Sequence, residues 1–498
     1  MDERRRRQYI LLARAEKKLK RIKGDEDRIS GLPDELIHKI YSHLDAKEAV
    51  QSSVLSKRWK LIWTTLPFLG FGRYDSLPFG DVSRYTMLIR HVLSNRNHQS
   101  PLFELKMYVP HKLTVNQSVS REKFRGCVVE KFIQYAISHN VQELNICYRR
   151  SFGNTPFKLF TLSSNSIKKL KLDLLLREEI FINLPALTTL HLKHPYSYDV
   201  KANVLESLLT SLPALRSLRL DSSDLSEISF SFPNLTILHL LICTLPRMVW
   251  HLPALSSLHM EDVNLPKNMS DMFSTLVNLK HLTLYLGWNC TKQDHSISCP
   301  QLLNLNIRAE FRPSSYGKIV VSAPLLCNFS SLGIFSIKVE APELENVNIK
   351  LKDWFSYGGH LNKKKYYQGF TCMLSGLGTA KNISFDLESI KALSEIINIQ
   401  ASVSSPFINL KYLKLPMEYK ESSLSSALRS YLLGGSPRAT IVSSVAQNRI
   451  HQPREVSVAA ENVVLQEPLA APTKVPCDCQ YVNKTVTVDM GVQERRIL

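Results

Sequence analysis

The sequence predicts a mixed α/β chain in which a short helical module precedes an irregular solenoid of parallel strands. Three observations predict this fold class. A leucine-patterned phrase recurs along most of the chain, prolines stand just before many of its copies, and apolar residues at helical spacing crowd a short stretch near the N-terminus. They divide the 498 residues into a basic arm (1–26), a helical module (27–71), a repeat region (85–440) and a polar tail (444–498).

The N-terminal arm is defined by its charge. It contains an arginine run, Arg4–Arg7, followed by several lysines, in a chain whose formal net charge is +19. Such a run is typical of a nuclear-import signal or of a solvated basic helix, and both interpretations stay open. The chain has no long apolar stretch, so we expect neither a secretion signal nor a membrane span. Nine scattered cysteines indicate reduced thiols, and we expect residence in the nucleus, the cytoplasm or both.

The helical module (27–71) is expected to contain three short helices. Pro33 stands at a first helical position, Asp45 can cap the second helix, and Trp59 and Trp63 lie one helical turn apart. A segment of about 45 residues rarely folds unaided. We therefore expect the module either to pack on the repeat region as a simple cap or to be completed by a partner.

The repeat region is predicted from a recurring phrase with the skeleton L-x-x-L-x-L. Copies include LPALTTLHL (184–192), LPALRSLRL (212–220), FPNLTILHL (232–240) and LPALSSLHM (252–260). Two leucines that alternate with an outward residue form a short strand with one buried face, and such a strand must stack on its neighbours to bury it. A period of roughly 20–29 residues is the range of leucine-rich repeats, which predicts a parallel sheet curved as a horseshoe. A leucine-rich helical bundle is disfavoured by the prolines.

The rhythm of the repeats is irregular. An insertion at 352–370 interrupts it and is predicted to be a mobile loop, and contact of its lysines and aromatic residues with a partner is the alternative. The Asn or Cys that completes the fullest repeat pattern is present only as Cys243. The tail (444–498) has a single aromatic residue and four prolines, so we expect it to be disordered.

The amino-acid sequence of the helical module resembles that of a known family. The segment RISGLPDELIHKIYSHLDAKEAVQSSVLSKRWKLIWTTLPFL closely resembles an F-box, and its opening Leu-Pro-Asp-Glu, its core and its exit LPFL resemble plant F-box proteins with leucine-rich repeats (the F-box/FBD/LRR-like family). The segment 376–442 resembles the C-terminal part of that family's repeat region. The tail after Ser443 has no counterpart in this resemblance.

The resemblance implies a substrate-recognition subunit of an SCF-type E3 ubiquitin ligase. In that role the F-box docks a Skp-type adaptor, which connects to cullin and RING subunits, and the repeats bind an unknown target protein. Carried over by position, the adaptor contacts fall on twelve residues, and the sequence does not separate those that face the adaptor from those in the module's own core. They are Leu32, Pro33, Leu36, Ile37, Ile40, Leu44, Val50, Val54, Leu55, Trp59, Leu61 and Trp63.

No catalytic role is expected of the chain itself. It contains no phosphate-binding loop, no nucleophile elbow and no metalloprotease motif, and we expect no cofactor and no metal. The alternative function is a leucine-rich-repeat scaffold that recruits no ligase. Nucleic-acid binding is disfavoured because the basic residues form no continuous stripe with interleaved aromatic residues.

The outward strand residues are the candidate target-binding surface. Stacked strands align the residue inside each L-x-L into one column and the next outward residue into another. The candidates from the two columns are His191, Arg219, His239, His259, Tyr285 and Arg308. A column of His and Arg side chains suits an acidic or phosphorylated segment, since guanidinium binds such oxyanions through two hydrogen bonds. A merely solvated sheet face is the alternative.

Overall fold

The computed structural model describes the helical module and most of the repeat region. The described residues are 31–55, 58–72, 82–109, 128–148, 160–173, 180–193, 208–223, 225–226, 230–245, 250–263, 269–286, 294–309, 318–351, 363–399, 404–417 and 419–443. The predicted basic arm (1–26) and the predicted disordered tail (444–498) lie outside them.

Nine α-helices have described bounds. They are α1 (Asp34–Tyr41), α2 (Ala46–Gln51), α3 (Trp59–Ile62), α4 (Val82–Asn95), α5 (Glu130–Ser138), α6 (Met269–Thr275), α7 (Lys363–Ser375), α8 (Leu387–Ile399) and α9 (Ser426–Leu433). Short 3₁₀ turns follow α2 at Ser52–Val54 and α3 at Trp63–Thr65, and another precedes α9 at Glu421–Ser423. The first three helices and their 3₁₀ turns form the predicted helical module.

A parallel sheet of 15 strands forms the body of the protein. Its strands, in spatial order, are β1 (Phe68–Phe71), β2 (Glu104–Val109), β3 (Glu143–Tyr148), β5 (Lys169–Asp173), β7 (Thr189–Lys193), β8 (Ser217–Asp221), β9 (Ile237–Leu241), β10 (Ser257–Glu261), β11 (His281–Leu286), β13 (Asn304–Ala309), β15 (Asn328–Leu332), β17 (Asn346–Lys350), β18 (Asn382–Phe385), β19 (Tyr412–Leu415) and β20 (Thr440–Ser443). Spatial order follows chain order, as stacked repeats require. The predicted α/β fold, a helical module followed by a parallel-strand solenoid, is confirmed.

Two smaller parallel sheets lie on the return limb of the repeats. One contains β4 (Phe160–Ser163) and β6 (Ile180–Asn183), and the other contains β12 (His295–Ser298), β14 (Ile319–Ser322) and β16 (Ile337–Glu340). The first strand of the main sheet, β1, overlaps the end of the segment that the sequence assigns to the helical module.

The leucine phrase builds the core because its apolar positions meet across the strands. Leu218 pairs in register with Leu190 on one side and with Leu238 on the other, and all three are at most 1% exposed. Strands β7, β9 and β10 alternate between half-exposed and buried residues along their length. Burying one leucine side chain contributes roughly 1.5–3 kcal/mol, so each added repeat stabilises both of its neighbours.

The three 20-residue repeats end their strands in the same turn. Ser222, Ile242 and Asp262 each follow a strand and adopt left-handed backbone angles, with φ of 59°, 52° and 50°. The N–H of Ser222 donates to the carbonyl of Leu241 at 2.7 Å, and that of Ile242 donates to Glu261 at 2.8 Å. The same turn therefore recurs at intervals of 20 residues.

The insertion at 352–370 departs from its predicted loop structure. Residues 352–362 lie outside the described part of the chain, but helix α7 begins at Lys363, so the loop prediction is wrong from that residue onward. Phe370, Met373 and Leu374 are fully buried at the i, i+3 and i+4 positions of this helix. Their apolar stripe fixes the helix against the core.

None of the helices in these residue ranges has the combination of length and apolar composition that a bilayer span requires.

Candidate adaptor-binding and target-binding surfaces

The helical module is organised by local hydrogen bonds at its helix starts. The Asp45 carboxylate accepts from the Glu48 N–H at 2.8 Å, and the Glu48 carboxylate accepts from the Asp45 N–H at 2.9 Å. This reciprocal capping confirms Asp45 as the predicted cap of α2. Pro33 lies one residue before α1, and its carbonyl accepts from the N–H groups of Leu36 and Ile37 at 3.1 Å.

The buried side chains of the module belong to the hydrophobic core that continues into the sheet. Ile37, Tyr41, Trp59 and Trp63 are all buried, and the rings of Tyr41 and Trp59 pack with their centroids 5.2 Å apart. Tyr41 is additionally held by a hydrogen bond between its hydroxyl and that of Ser52. The two tryptophans that dominate the sequence of this segment are therefore core residues.

The structure separates the twelve predicted adaptor contacts into three groups. Ile37, Trp59 and Trp63 are buried, and they support the module from within. Leu32, Leu44 and Val50 are half-buried and pack against the core. The exposed group comprises Pro33, Leu36, Ile40, Val54, Leu55 and Leu61.

The exposed group is apolar to an unusual degree. Leu36 is 49% exposed, Ile40 41%, Val54 86%, Leu55 58% and Leu61 66%. Leu36 and Ile40 lie four residues apart and so share one side of α1. Concentrated exposed apolar side chains mark interaction surfaces, since a solvated protein gains nothing from leaving them in water. We call Leu36, Ile40, Val54, Leu55 and Leu61 the apolar set.

The module is joined firmly to the first strands of the sheet. Arg96, 3% exposed at the end of α4, donates to the Leu66 carbonyl at 3.0 Å and to the Ser100 and Pro101 carbonyls at 2.8 and 2.7 Å. Backbone hydrogen bonds from Asn97 to Thr64 (2.9 Å) and from Phe103 to Pro67 (2.7 Å) cross the same junction. The module therefore closes the first end of the solenoid while it still exposes the apolar set.

A glycine ends the first strand of the sheet at this junction. Gly72 has φ of +81°, and a Cβ placed on it would lie 2.3 Å from the Tyr108 carbonyl oxygen. The buried Tyr85 hydroxyl donates to that same carbonyl at 3.1 Å, and burial raises the pKa of Tyr85. Only glycine fits this backbone conformation and this close approach.

The predicted columns of outward residues are present. The strand register pairs His191 with Arg219, Arg219 with His239, and His239 with His259, and it pairs Tyr285 with Arg308 in the neighbouring column. We call this side of the main sheet the open face. Its role in target binding stays a prediction.

The electrostatics of the first column differ from a free basic strip. Arg219 donates to the Asp221 carboxylate at 2.9 Å, and the His191 ring nitrogen lies 3.1 Å from the same group. Burial raises the pKa of Asp221, but hydrogen bonds from His191 and Arg219 outweigh it and leave that pKa below its ordinary value. The column thus carries its own counter-ion, which the pattern of leucines did not reveal.

The two central histidines of the first column lie in different surroundings. The His239 and His259 rings stack with centroids 5.2 Å apart. Burial first, then the charges of His259 and Arg219, lower the pKa of His239 to about 4. A His259 ring nitrogen lies 3.4 Å from the Glu261 carboxylate, and this hydrogen bond is the main cause that lowers the pKa of Glu261. His239 therefore adds no positive charge for an oxyanion at pH 7.

The two halves of the open face differ in charge. From β2 to β10, five Lys or Arg and five Asp or Glu occupy the outward strand positions, whereas from β11 to β19 there are three cations and no carboxylate. The first-half cations are Lys106, Lys169, Lys171, Lys193 and Arg219, and its carboxylates are Glu104, Glu143, Asp173, Asp221 and Glu261. The second-half cations are Arg308, Lys350 and Lys414.

The second half also carries an amide ladder that sequence reasoning missed. Asn382 donates to Asn346 at 3.0 Å, Asn346 to Asn328 at 2.9 Å and Asn328 to Asn304 at 2.8 Å, and the Asn304 amide nitrogen lies 3.0 Å from a His281 ring nitrogen. The signal was present in the phrases NLNI, NFSS, NVNI and NISF, each of which opens a strand with Asn.

Within the part of the chain covered by the structure, no group of three or more His, Cys, Asp or Glu side chains is arranged to hold a metal ion.

Comparison with known proteins places these surfaces in a family. The F-box domain matches residues 29–70, which contain the whole apolar set. An FBD-associated F-box protein of Arabidopsis thaliana is 30% identical over 271 residues (51% of this chain, 61% of that protein). An F-box/FBD/LRR-repeat protein of the same plant is 32% identical over 193 residues, 39% of this chain and 40% of that protein. The matches thus span less than two thirds of these two relatives.

A third relative is matched over more of its length. This F-box/LRR-repeat protein of Arabidopsis thaliana is 32% identical over 271 residues, which cover 50% of this chain and 68% of that protein. The family's helical module and parallel-strand repeats are both present here. The chain therefore belongs to the plant F-box/LRR-repeat proteins.

Proposed function

We propose that this chain is the substrate-recognition subunit of an SCF-type E3 ubiquitin ligase. F-box domains generally bind Skp-type adaptors in SCF complexes, and F-box proteins are typically non-catalytic adaptors. In the proposed complex the apolar set docks a Skp-type adaptor, and cullin and RING subunits join through that adaptor. The open face of the sheet holds the target protein.

One observation carries the proposal: a folded F-box keeps five large apolar side chains in water while its tryptophans are buried. Burying apolar surface contributes about 25 cal/mol per Å², so covering these side chains with a partner is strongly favourable. Interface cores are apolar in this way, with residues of one small cluster supplying most of the binding energy.

The proposed mechanism needs no chemistry from this chain. Tethering a target beside the ubiquitin-loaded enzyme makes transfer effectively intramolecular, which raises the effective concentration of the target's lysines. The Arg96 junction supports this role, because a fixed F-box and sheet hold the target at a constant distance from the adaptor.

The test is co-expression of the full chain with a Skp-type adaptor, followed by co-purification. The variant L36K/I40K/L61K alters the apolar set on its exposed side chains, so it should fold and lose the adaptor. The matched control M87K/V277K/I408K places three lysines at exposed apolar positions elsewhere, and it should keep the adaptor. If the wild-type chain folds but does not co-purify with the adaptor, the scaffold function takes the place of the ligase function.

A further inference from the structure

The two halves of the open face differ in how their charged side chains are arranged. The first half has as many carboxylates as cations, and three of its five cations form ion pairs: Lys106 with Glu104 (2.6 Å), Lys169 with Glu143 (2.7 Å) and Arg219 with Asp221 (2.9 Å). A charged ligand that binds there must either displace these ion pairs or remove both of their partners from water, which costs free energy. The first half is therefore a poor site for a charged ligand.

The second half holds its cations without partners. Among the described residues, Arg308, Lys350 and Lys414 form no ion pair. Arg308 and Lys350 are exposed and Lys414 is half-exposed. The hydrogen bond from His259 is the main cause that lowers the pKa of the Glu261 carboxylate, and the positive charge of Arg308 adds to this lowering. Three cations on one face that form no ion pair with the described residues attract a ligand of opposite charge.

The amide ladder supplies fixed polar groups at the start of the strands that carry two of these cations, and Arg308 and Lys350 lie four residues further along their strands. Each Asn of the ladder uses one of its two amide hydrogens on its neighbour, and the side-chain oxygen of Asn382 is buried without a partner at the ladder's end. A hydrogen-bonded chain of amides holds its members in one orientation and polarises them along one direction. The remaining hydrogens are therefore pre-oriented donors, which cost less ordering entropy when a ligand binds.

Two tyrosines lie on the outer strands of this half, one beside the last asparagine of the ladder and one beside Arg308. The register places Tyr412 beside Asn382 on β19, where it is 48% exposed, and Tyr285 beside Arg308 on β11. Tyr and Arg are among the residues enriched at protein interfaces. An extended strand of about six residues spans the 18–20 Å that a few stacked strands cover.

We propose that the second half of the open face, from β11 to β19, is the target-docking surface and that its ligand is an acidic, extended segment of the target protein. The carboxylates of that segment pair with Arg308, Lys350 and Lys414, and its backbone carbonyls accept from the amide ladder. This inference rests on the proposed function, since it names the class of target that the recognition subunit takes.

The test measures peptide binding to the full chain co-expressed with the adaptor. The probe is a fluorescein-labelled dodecapeptide of alternating Asp and Ser, compared by anisotropy with an Asn–Ser peptide of equal length. The variant R308A/K350A/K414A should weaken binding of the acidic peptide about tenfold, which is the loss expected when three exposed ion pairs are removed. The control K106A/K169A/K171A removes the same charge from the first half of the face and should leave the affinity unchanged.

An isosteric pair of variants tests the ladder without changing shape. Asn346→Asp puts a carboxylate into the ladder and should repel the acidic peptide, whereas Asn145→Asp on the first half should not. Two outcomes overturn the proposal. One is an equal loss of affinity for the acidic peptide in a second-half variant and its first-half control, for either the alanine or the aspartate variants. The other is a wild-type chain that binds the acidic peptide no better than the neutral one. Adaptor co-purification of the same variants should stay intact, which separates failure of this inference from failure of the proposed function.

Discussion

Replacing Arg96 by methionine should loosen the junction between the F-box and the sheet. The guanidinium donates to the carbonyls of Leu66, Asn97, Ser100 and Pro101 at 2.7–3.1 Å, and methionine fills similar space without any donor. A buried acceptor left without a donor costs roughly 1–3 kcal/mol. The Leu66 bond is the fully buried one, and water can reach the other carbonyls in part.

The net magnitude follows from two opposing effects. Burial lowers the pKa of Arg96, which shows that desolvation already disfavours its charge, and the methionine variant recovers that cost. The lost hydrogen bonds to a charged donor are worth more, roughly 1.5–3 kcal/mol each before this recovery. We expect the variant to lower the free energy of unfolding by about 2–4 kcal/mol.

The assay combines urea unfolding with amide hydrogen exchange. The N–H groups of Asn97 and Phe103, which donate across the junction to Thr64 and Pro67, should exchange faster in the Arg96→Met chain. The control is Arg90→Met, an exposed arginine on the same helix, which should change stability by less than about 0.5 kcal/mol. An unfolding free energy and exchange rates equal to those of this control would refute the reasoning.

Three further predictions follow from burial, backbone geometry and titration. Trp59→Ala should destabilise the chain by about 3–5 kcal/mol in thermal or urea unfolding. Leu61→Ala should change stability by less than about 0.5 kcal/mol and weaken only adaptor binding. Similar stability losses in the two variants would contradict the assignment of Trp59 to the core and Leu61 to the surface. Gly72→Ala should cost about 1–3 kcal/mol through its positive φ and close carbonyl, and Gly70→Ala, whose Cβ would lie 3.9 Å from its nearest neighbour, should be tolerated; equal unfolding midpoints would count against this. Because the folded-state pKa of His239 is about 4 and its ordinary value is 6.5, the unfolded chain binds more protons between these values, so stability should fall as pH drops from 6.5 toward 4. His239→Phe should flatten that acid limb in urea titrations at several pH values, and an unchanged slope would show that other groups cause it.

The repeat pattern was sufficient for the sheet but insufficient for its surface. Leu190, Leu218 and Leu238 stand at strand positions that the L-x-L spacing predicts, because alternation along a strand is a local property of two neighbouring residues. The same spacing predicted which residues point outward. It did not predict that the Asp221 carboxylate would pair with Arg219 and His191, because spacing along a strand does not determine which outward side chains meet.

The helical module shows the same division between local and tertiary information. The letters of the F-box indicated its helices and its family, and Asp45 caps its helix through residues only three positions apart. The twelve predicted contacts could not be divided further from sequence, because Leu36 and Ile37 have the same hydrophobicity and adjacent positions. Only packing distinguishes them, because Ile37 is fully buried and Leu36 is 49% exposed.

The sequence by itself determined the order of the strands, their inward leucines and the family, because each depends on short-range periodicity or on contiguous letters. The tertiary structure alone decided which apolar side chains stay exposed, which cations have counter-ions and which asparagines join into a ladder. The ladder links residues 18, 24 and 36 positions apart, and no constant period brings such positions together. Asparagines separated by connections of unequal length align in one register only when stacked strands hold them side by side, and that constraint exists only in the folded sheet.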